Sequence, residues 1–260
     1  MPDKVIATAR PVSRTWSSWL IGPWRLLGIV GHIVRGLWLA RIAYVDRPAG
    51  ERDEAVRRWS QQLLKVLGVT LVVKGHPRPG AKLVVSNHVS WLDIVAINSV
   101  VPSRFVSKAE VSGWPVVGYV VTAAGTFYLK RERRRDAMRV LGLMSSALQN
   151  GYTVAVFPEG TTGDGHKLLH FHANMLQAAI DAKEPVQPVA LRYSDELHDI
   201  SPAAAFVGDT TLWQSLWGVI TARQLTVHVT VLPLQAASHA DRRALAELLR
   251  SQIGDALDGN

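Results

Sequence analysis

The chain has 260 residues, enough for one large domain with an appendage, and at 48% hydrophobic with nine tryptophans it is no disordered polymer. Its formal charge of +8 calls for an anionic partner: nucleic acid, acidic lipid or a phosphorylated substrate. With no cysteine, disulfides, thiolate metal sites and cysteine nucleophiles are excluded, which fits a reducing compartment.

Residues 16–45, opening WSSWLIGPWRLL, hold four of the nine tryptophans. Arg25, His32 and Arg35 interrupt the apolar run, and no small-residue cleavage site follows, so it does not read as a secretory signal. On a helical wheel Trp16, Trp19, Leu20, Leu27, Ile33, Val34, Leu37 and Trp38 form a broad apolar surface. Tryptophan beside arginine suits the headgroup boundary, where the guanidinium snorkels. The segment is expected to be an interfacial helix or bent helical pair, with a single span or an ordinary core helix as the competing readings. The chain then divides into a membrane-anchoring helical segment, 1–50, and an α/β domain, 51–260.

Pro48-Ala49-Gly50 closes that segment, and 51–67 has a helical stripe of Ala55, Trp59, Leu63 and Leu67. Beyond it, strand patterns at 69–74, 82–86, 104–107, 126–129, 153–157, 186–191 and 226–232 alternate with helical ones. The helices are expected at 91–100, 114–123, 134–149, 171–182, 211–222 and 240–257. Such alternation predicts an α/β sheet covered on both faces. Pro185 and Pro188 suggest that 186–191 is an edge strand or borders a cavity. The stretch 192–210 lacks periodicity and is expected to be a long surface connection.

VVSNHVSWLD, 84–93, places His88 where a buried strand hands over to a helix, with Asp93 five residues on. Five residues subtend about 140° around a regular helix, so the two meet only if His88 stays in the preceding loop and Asp93 lies in the first turn. Ser90 is then the expected N-cap. The carboxylate would bond one imidazole nitrogen, fix the tautomer and raise the basicity of the other. Two ordinary roles compete: Ser90 with Asp93 reads as a capping-box variant, and His88 as a hydrogen-bonded core histidine.

GTFYLKR, 125–131, carries Lys130 and Arg131 to a strand end, and five of residues 130–135 are basic. Guanidinium at a strand end suits a phosphate; Arg133–Arg135 read as a solvated helix start or an attraction to anionic lipid. In FPEGTT, 157–162, Glu159 and Gly160 follow a strand, where α/β folds build sites. The histidines at 166, 170 and 172 lack a spaced acid or cysteine, so no metal site is expected. No G-x-S-x-G elbow, phosphate loop or nucleic-acid motif occurs.

SNHVSWLD, GTFYLKR, FPEGTT and VQPVAL, in that order, resemble the four motif blocks of the glycerolipid acyltransferase family typified by 1-acyl-glycerol-3-phosphate acyltransferase. FVSKAEVSGWPVVG, 105–118, resembles the segment that family places between its first two blocks. The likeness spans roughly 70–195. It implies a single mixed sheet flanked by helices, behind membrane-associated N-terminal helices. It also implies acyl transfer from a coenzyme A or acyl-carrier-protein thioester to the free hydroxyl of a lysolipid, without a cofactor or metal. By that resemblance His88 is the general base and Asp93 orients it. Arg131 with Lys130 binds the acceptor's phosphate, and Glu159, Gly160 and Thr161 shape the acceptor site. Backbone N–H groups near the helix start at Ser90 are expected to form the oxyanion hole. The expected setting is the cytoplasmic face of a membrane with anionic lipid, with no nucleic acid involved. One departure bears on the acceptor: His172 and Asn174 stand where phosphatidate-forming members commonly carry lysine and glycine. That departure is shared with relatives that acylate other lysolipids such as lyso-ornithine lipid, which is the alternative acceptor; Arg131 and the basic cluster after it keep lysophosphatidate the first expected one. A non-catalytic membrane or anion binder and a fatty-acyl hydrolase are the readings from other classes.

Overall fold

The computed structural model describes residues 16–42, 49–114, 117–130 and 134–259. Two helices come first, α1 (Trp16–Ile42) and α2 (Ala49–Leu67). Seven strands follow: β1 (Thr70–Lys74), β2 (Lys82–Ser86), β3 (Arg104–Lys108), β4 (Phe127–Leu129), β5 (Thr153–Val156), β6 (Val186–Ser194) and β7 (Thr226–Val231). Between and after them run α3 (Leu92–Asn98), α4 (Val117–Ala123), α5 (Arg134–Gln149), α6 (Gln177–Ala182), α7 (Leu212–Thr221) and α8 (Arg242–Asp258). Each β-branched run expected as a strand is one, to within a few residues at its ends. The helix expected at 114–123 starts at Val117, after a separate 3-10 turn at Ala109–Gly113, and the one expected at 171–182 opens as a 3-10 turn, Ala173–Leu176.

The strands form one sheet in the order β1-β7-β6-β2-β5-β3-β4. Every neighbouring pair is parallel except β6 and β7, so the sheet is mixed, and the C-terminal ends of β2, β3, β4, β5 and β6 share one edge. Alternation along each strand feeds two cores. Val84, Val189, Leu191 and Val227 pack with α2, α3 and α7 on one face; Leu83, Val85, Val154 and Ala190 pack with α5, α6 and α8 on the other.

Strand β6 is central, flanked by β2 and β7, contrary to the edge expected from its prolines. The register explains how Pro188 is tolerated. The β6–β7 ladder begins at Val189↔Val231, and the next pairing lies beyond a gap at Val186↔Gln235. Pro188 sits in that gap and only accepts, from the Leu232 N–H at 3.0 Å, so no ladder donor is missed. The expected surface connection after β6 is not superficial either. Ala203 and Ala204 are buried in the core beneath α7, and Phe206 donates its N–H to the Val89 carbonyl at 3.0 Å.

Helix α1 lies against α2, α4 and α7. Its three interrupting polar residues all face the protein. The Arg25 guanidinium donates to the Ile220 carbonyl at 2.7 Å, at the C-terminal end of α7, and burial lowers its pKa. It also fills the space over Gly68 at the end of α2, where φ is +77° and an added Cβ would stand 2.1 Å from the guanidinium carbon. The cation thus meets the carbonyl ends of two helices, a favourable dipole arrangement. Buried His32 contacts the Trp59 carbonyl at 3.0 Å, and Arg35 donates to Gln62. The expectation that Arg25 snorkels toward headgroups is therefore overturned. The described outward stripe carries Trp24, 77% exposed, and Trp38, 60% exposed, alongside Leu27, Val30 and Val34. Ile33, assigned to that surface by the helical wheel, packs on the core instead; the side chains of Trp16, Trp19 and Leu20 lie outside those described. Among the described residues no helix is long and apolar enough to cross a membrane.

Candidate active site

Strand β2 ends at Ser86, and the next residue takes over its hydrogen bonding. The Asn87 side chain accepts from the Leu191 N–H at 2.8 Å and donates to the Leu191 carbonyl at 2.9 Å. Its amide so replaces one residue of strand at the point where the main chain leaves the sheet. That release brings His88 out over the C-terminal edge while keeping it anchored to β6.

His88 lies in the loop and Asp93 in the first turn of α3, as the five-residue spacing requires. The His88 Nδ1–H donates to Asp93 Oδ2 at 2.8 Å. The same oxygen accepts from the Val89 N–H at 2.7 Å and the Ser90 N–H at 2.9 Å, while Oδ1 accepts from the Tyr193 hydroxyl at 2.7 Å. Asp93 is fully buried, and a buried carboxylate is stable only when its lone pairs are met by donors; four converge here. Tyr193 is also buried, and burial first, then the Asp93 charge, pushes its pKa well above the ordinary phenol value, so it stays a donor.

Ser90 does not cap α3. Trp91 occupies the cap position with no side-chain bond, and Ser90 Oγ is buried without a partner among the described residues. Asp93 instead reaches back to the Ser90 N–H, so only the returning half of a capping box is present. The Val89 and Ser90 N–H groups are spent on Asp93, which takes these two out of the set of N–H groups expected to serve an oxyanion at the helix start.

The imidazole stacks on Phe157, rings 3.9 Å apart and 8° from parallel, with Phe105 behind at 5.8 Å. With Nδ1 turned to the buried carboxylate and the side chain 19% exposed, Nε2 is the ring nitrogen left for a substrate, and in the neutral ring whose Nδ1 carries the proton it is an acceptor. Such a nitrogen is able to take a proton from a hydroxyl placed against it.

Glu159 arrives from the neighbouring parallel strand β5. Phe157 to Gly160 form a turn closed by a 3.1 Å bond, and Gly160 takes φ +70°, a conformation open to glycine at little cost. Glu159 is itself buried. Its Oε1 accepts from the His88 N–H at 2.8 Å and its Oε2 from the Leu169 N–H at 3.0 Å. Burial raises its pKa; the two backbone bonds and His88 oppose that rise, and the Asp93 charge adds to it. The loop is pinned again where the Gly163 N–H meets the His88 carbonyl at 2.8 Å and the Thr162 hydroxyl donates to Phe206.

The structure therefore brings together His88, Asp93, Glu159 and Gly160. Thr161 is exposed on the same loop. Lys130 is exposed just past β4, and its N–H donates to Asp136 at 2.6 Å. Three strand spacings separate the ends of β4 and β2, roughly 14 Å. Arg131 lies outside the described residues. Exposed His172 lies beside Gly160, its ring carbon 3.6 Å from where a Cβ would stand there, and edge-on to His170. Among the described residues no three histidine, cysteine or acidic side chains are grouped to hold a metal. Sequence reasoning missed Tyr193 and Asn87. The available signal was strand parity, which turns Tyr193 inward with Val189 and Leu191, where its hydroxyl needs a partner.

A histidine oriented by a buried carboxylate, with no serine bonded to it among the described residues and no cysteine in the sequence, suits a group-transfer site that uses the substrate's own oxygen. Comparison with known proteins agrees: a family model described as Acyltransferase matches residues 71–192. A 1-acyl-sn-glycerol-3-phosphate acyltransferase of Neisseria meningitidis serogroup B is 39% identical over 208 residues, covering 78% of this chain and 80% of the relative. A lyso-ornithine lipid O-acyltransferase of Pseudomonas aeruginosa is 33% identical over 242 residues, covering 90% and 92%. The crystal structure of the 1-acyl-sn-glycerophosphate acyltransferase PlsC from Thermotoga maritima shares the fold, with a TM-score of 0.70 at 20% identity over 92% of this chain and 96% of that one. The chain belongs to the acyltransferase family and is an acyltransferase enzyme.

Proposed function

We propose that the protein transfers a fatty acyl group from a thioester to the free hydroxyl of lysophosphatidate, giving phosphatidate. The observation that carries this reading is the His88–Asp93 pair with its free Nε2. Nε2 accepts the hydroxyl proton as the acceptor oxygen attacks the thioester carbonyl. The tetrahedral adduct then collapses, the C–S bond breaks, and the imidazolium returns the proton to the leaving thiolate. The thioester is already activated, so no enzyme nucleophile is required. Asp93 holds the tautomer and stabilises the imidazolium.

The donor is a coenzyme A or acyl-carrier-protein thioester, and Arg131, with Lys130, engages the acceptor phosphate; the motif resemblance supports these assignments. The stripe of Trp24, Leu27, Val34 and Trp38 supports seating α1 in the interface of an anionic membrane, on its cytoplasmic face. Lyso-ornithine lipid is the second reading for the acceptor. It is favoured by His172 in place of the family lysine and by the long match to the Pseudomonas aeruginosa relative.

The test follows thiol release from acyl-coenzyme A and acyl-carrier protein in detergent, with lysophosphatidate and lyso-ornithine lipid supplied separately. Release is expected to require lysophosphatidate and to fall at least 10²-fold in His88→Ala, since a positioned base contributes about 10²–10⁴-fold. Turnover with lyso-ornithine lipid alone would overturn the acceptor assignment. Acceptor-dependent release surviving in His88→Ala would overturn the base assignment.

A further inference from the structure

We propose that Tyr193 is a positioning residue for the reaction: its hydroxyl fixes the buried Asp93 carboxylate and sets the basicity of His88. The inference rests on the reading of His88 as the base. Asp93 has two oxygens with different duties. Oδ2 orients the imidazole and the loop; Oδ1 meets Tyr193, 2.7 Å away from β6. Strand β6 is adjacent to β2, and its residues Val189, Leu191 and Tyr193 point into the same core as α3. Two residues before Tyr193, Leu191 is the residue clasped by Asn87. One strand therefore fixes both ends of the segment that carries His88: the departure at Asn87 and the carboxylate at Asp93.

The chemical effect follows from sharing a charge. A hydrogen bond from Tyr193 draws negative charge toward Oδ1, so Oδ2 attracts the imidazolium proton less than an unshared carboxylate would. Without Tyr193, Asp93 would turn its full charge on the imidazole. Tyr193 also stops the carboxylate from rotating away from Nδ1. From the loop after β5, Glu159 also faces the pair, and exposed His172 stands on that loop beside Gly160; neither touches the Tyr193 hydroxyl.

Tyr193→Phe removes one oxygen and keeps the ring. The expected result is a fall in kcat of roughly 10- to 100-fold, the equivalent of losing one hydrogen bond to a charged group, with the KM values of donor and lysolipid unchanged. In the same variant the acid limb of kcat/KM moves to higher pH, because Oδ2 now bears more charge. A role in packing alone lowers thermal stability but leaves that limb in place. The second arm places 3-fluorotyrosine at position 193, which keeps the shape and strengthens the donor, so the limb should move the opposite way, to lower pH. This arm reads out even if the phenylalanine variant fails to fold. An acid limb at the wild-type pH in every folded variant would overturn the proposal. Should His88→Ala keep its activity, the base reading fails instead, whatever Tyr193 does.

Discussion

Asp93→Asn isolates the carboxylate's charge from its geometry. Asparagine can leave its oxygen on the three donors that now meet Oδ2 and turn its amide toward the Tyr193 oxygen, so the loop keeps its ties. What disappears is the attraction between carboxylate and imidazolium. For charges about 4 Å apart at an effective dielectric constant near 20 it is worth about 4 kcal/mol. The imidazolium exists only once the proton has moved, so most of that stabilisation belongs to the transition state. Solvation through the half-open ring recovers a share, leaving roughly 2–4 kcal/mol, or about 30- to 10³-fold in kcat. The assay is initial thiol release at saturating donor and acceptor across pH, with thermal unfolding run alongside. KM values should hold, and the acid limb should move to lower pH because a neutral neighbour no longer favours the charged imidazole. A kcat within threefold of wild type on the plateau, with the protein folded, would refute the argument.

Two further variants give outcomes that can be checked. Glu159→Gln keeps one backbone bond and sets an amide against the other N–H, so kcat should fall about tenfold with the acceptor KM unchanged; a raised KM at constant kcat would place Glu159 in contact with the acceptor. Because the folded-state pKa of Glu159 is raised by burial, the protonated form is favoured in the fold. Wild-type stability from this group is therefore full below the unfolded value near 4.5 and is lost as pH rises through the raised folded value. Urea unfolding of Glu159→Gln should lack that pH-dependent loss. Replacing Trp24 and Trp38 together by Ser should reduce partition onto anionic vesicles by roughly tenfold and leave turnover of detergent-dispersed substrates intact. Sedimentation with vesicles at high salt measures it, and unchanged binding would exclude the outer stripe of α1 as the contact.

The elements were legible where local chemistry decides them. Short β-branched or aromatic runs marked the seven described strands, and the five-residue gap from His88 to Asp93 already required a loop followed by a helix turn. What stayed hidden depends on partners distant in sequence. Pro188 suggested an edge because its missing donor is a local fact, whereas the gap that accommodates it is set by where β7 stops. Ser90 looked like a cap, but the cap position falls one residue later, at Trp91, and the Ser90 hydroxyl is buried without a partner among the described residues. Arg25 beside Trp24 suggested a headgroup, but its helix turns it toward the ends of α2 and α7, which only the packed fold brings together. Tyr193 was read as part of a featureless connection, since its role exists only once β6 lies beside β2.

That separation has a consequence for when the enzyme switches on during its own synthesis. His88 is held by Glu159, 71 residues later, while Asn87 and Asp93 are held by Leu191 and Tyr193, 104 and 100 residues later. A ribosome that has released only the first five strands has made the base but none of the β6 contacts that aim it. The site is thus a late product of translation, assembled by the strand that also locks the centre of the sheet. Competence to react with a thioester therefore waits for the sixth strand.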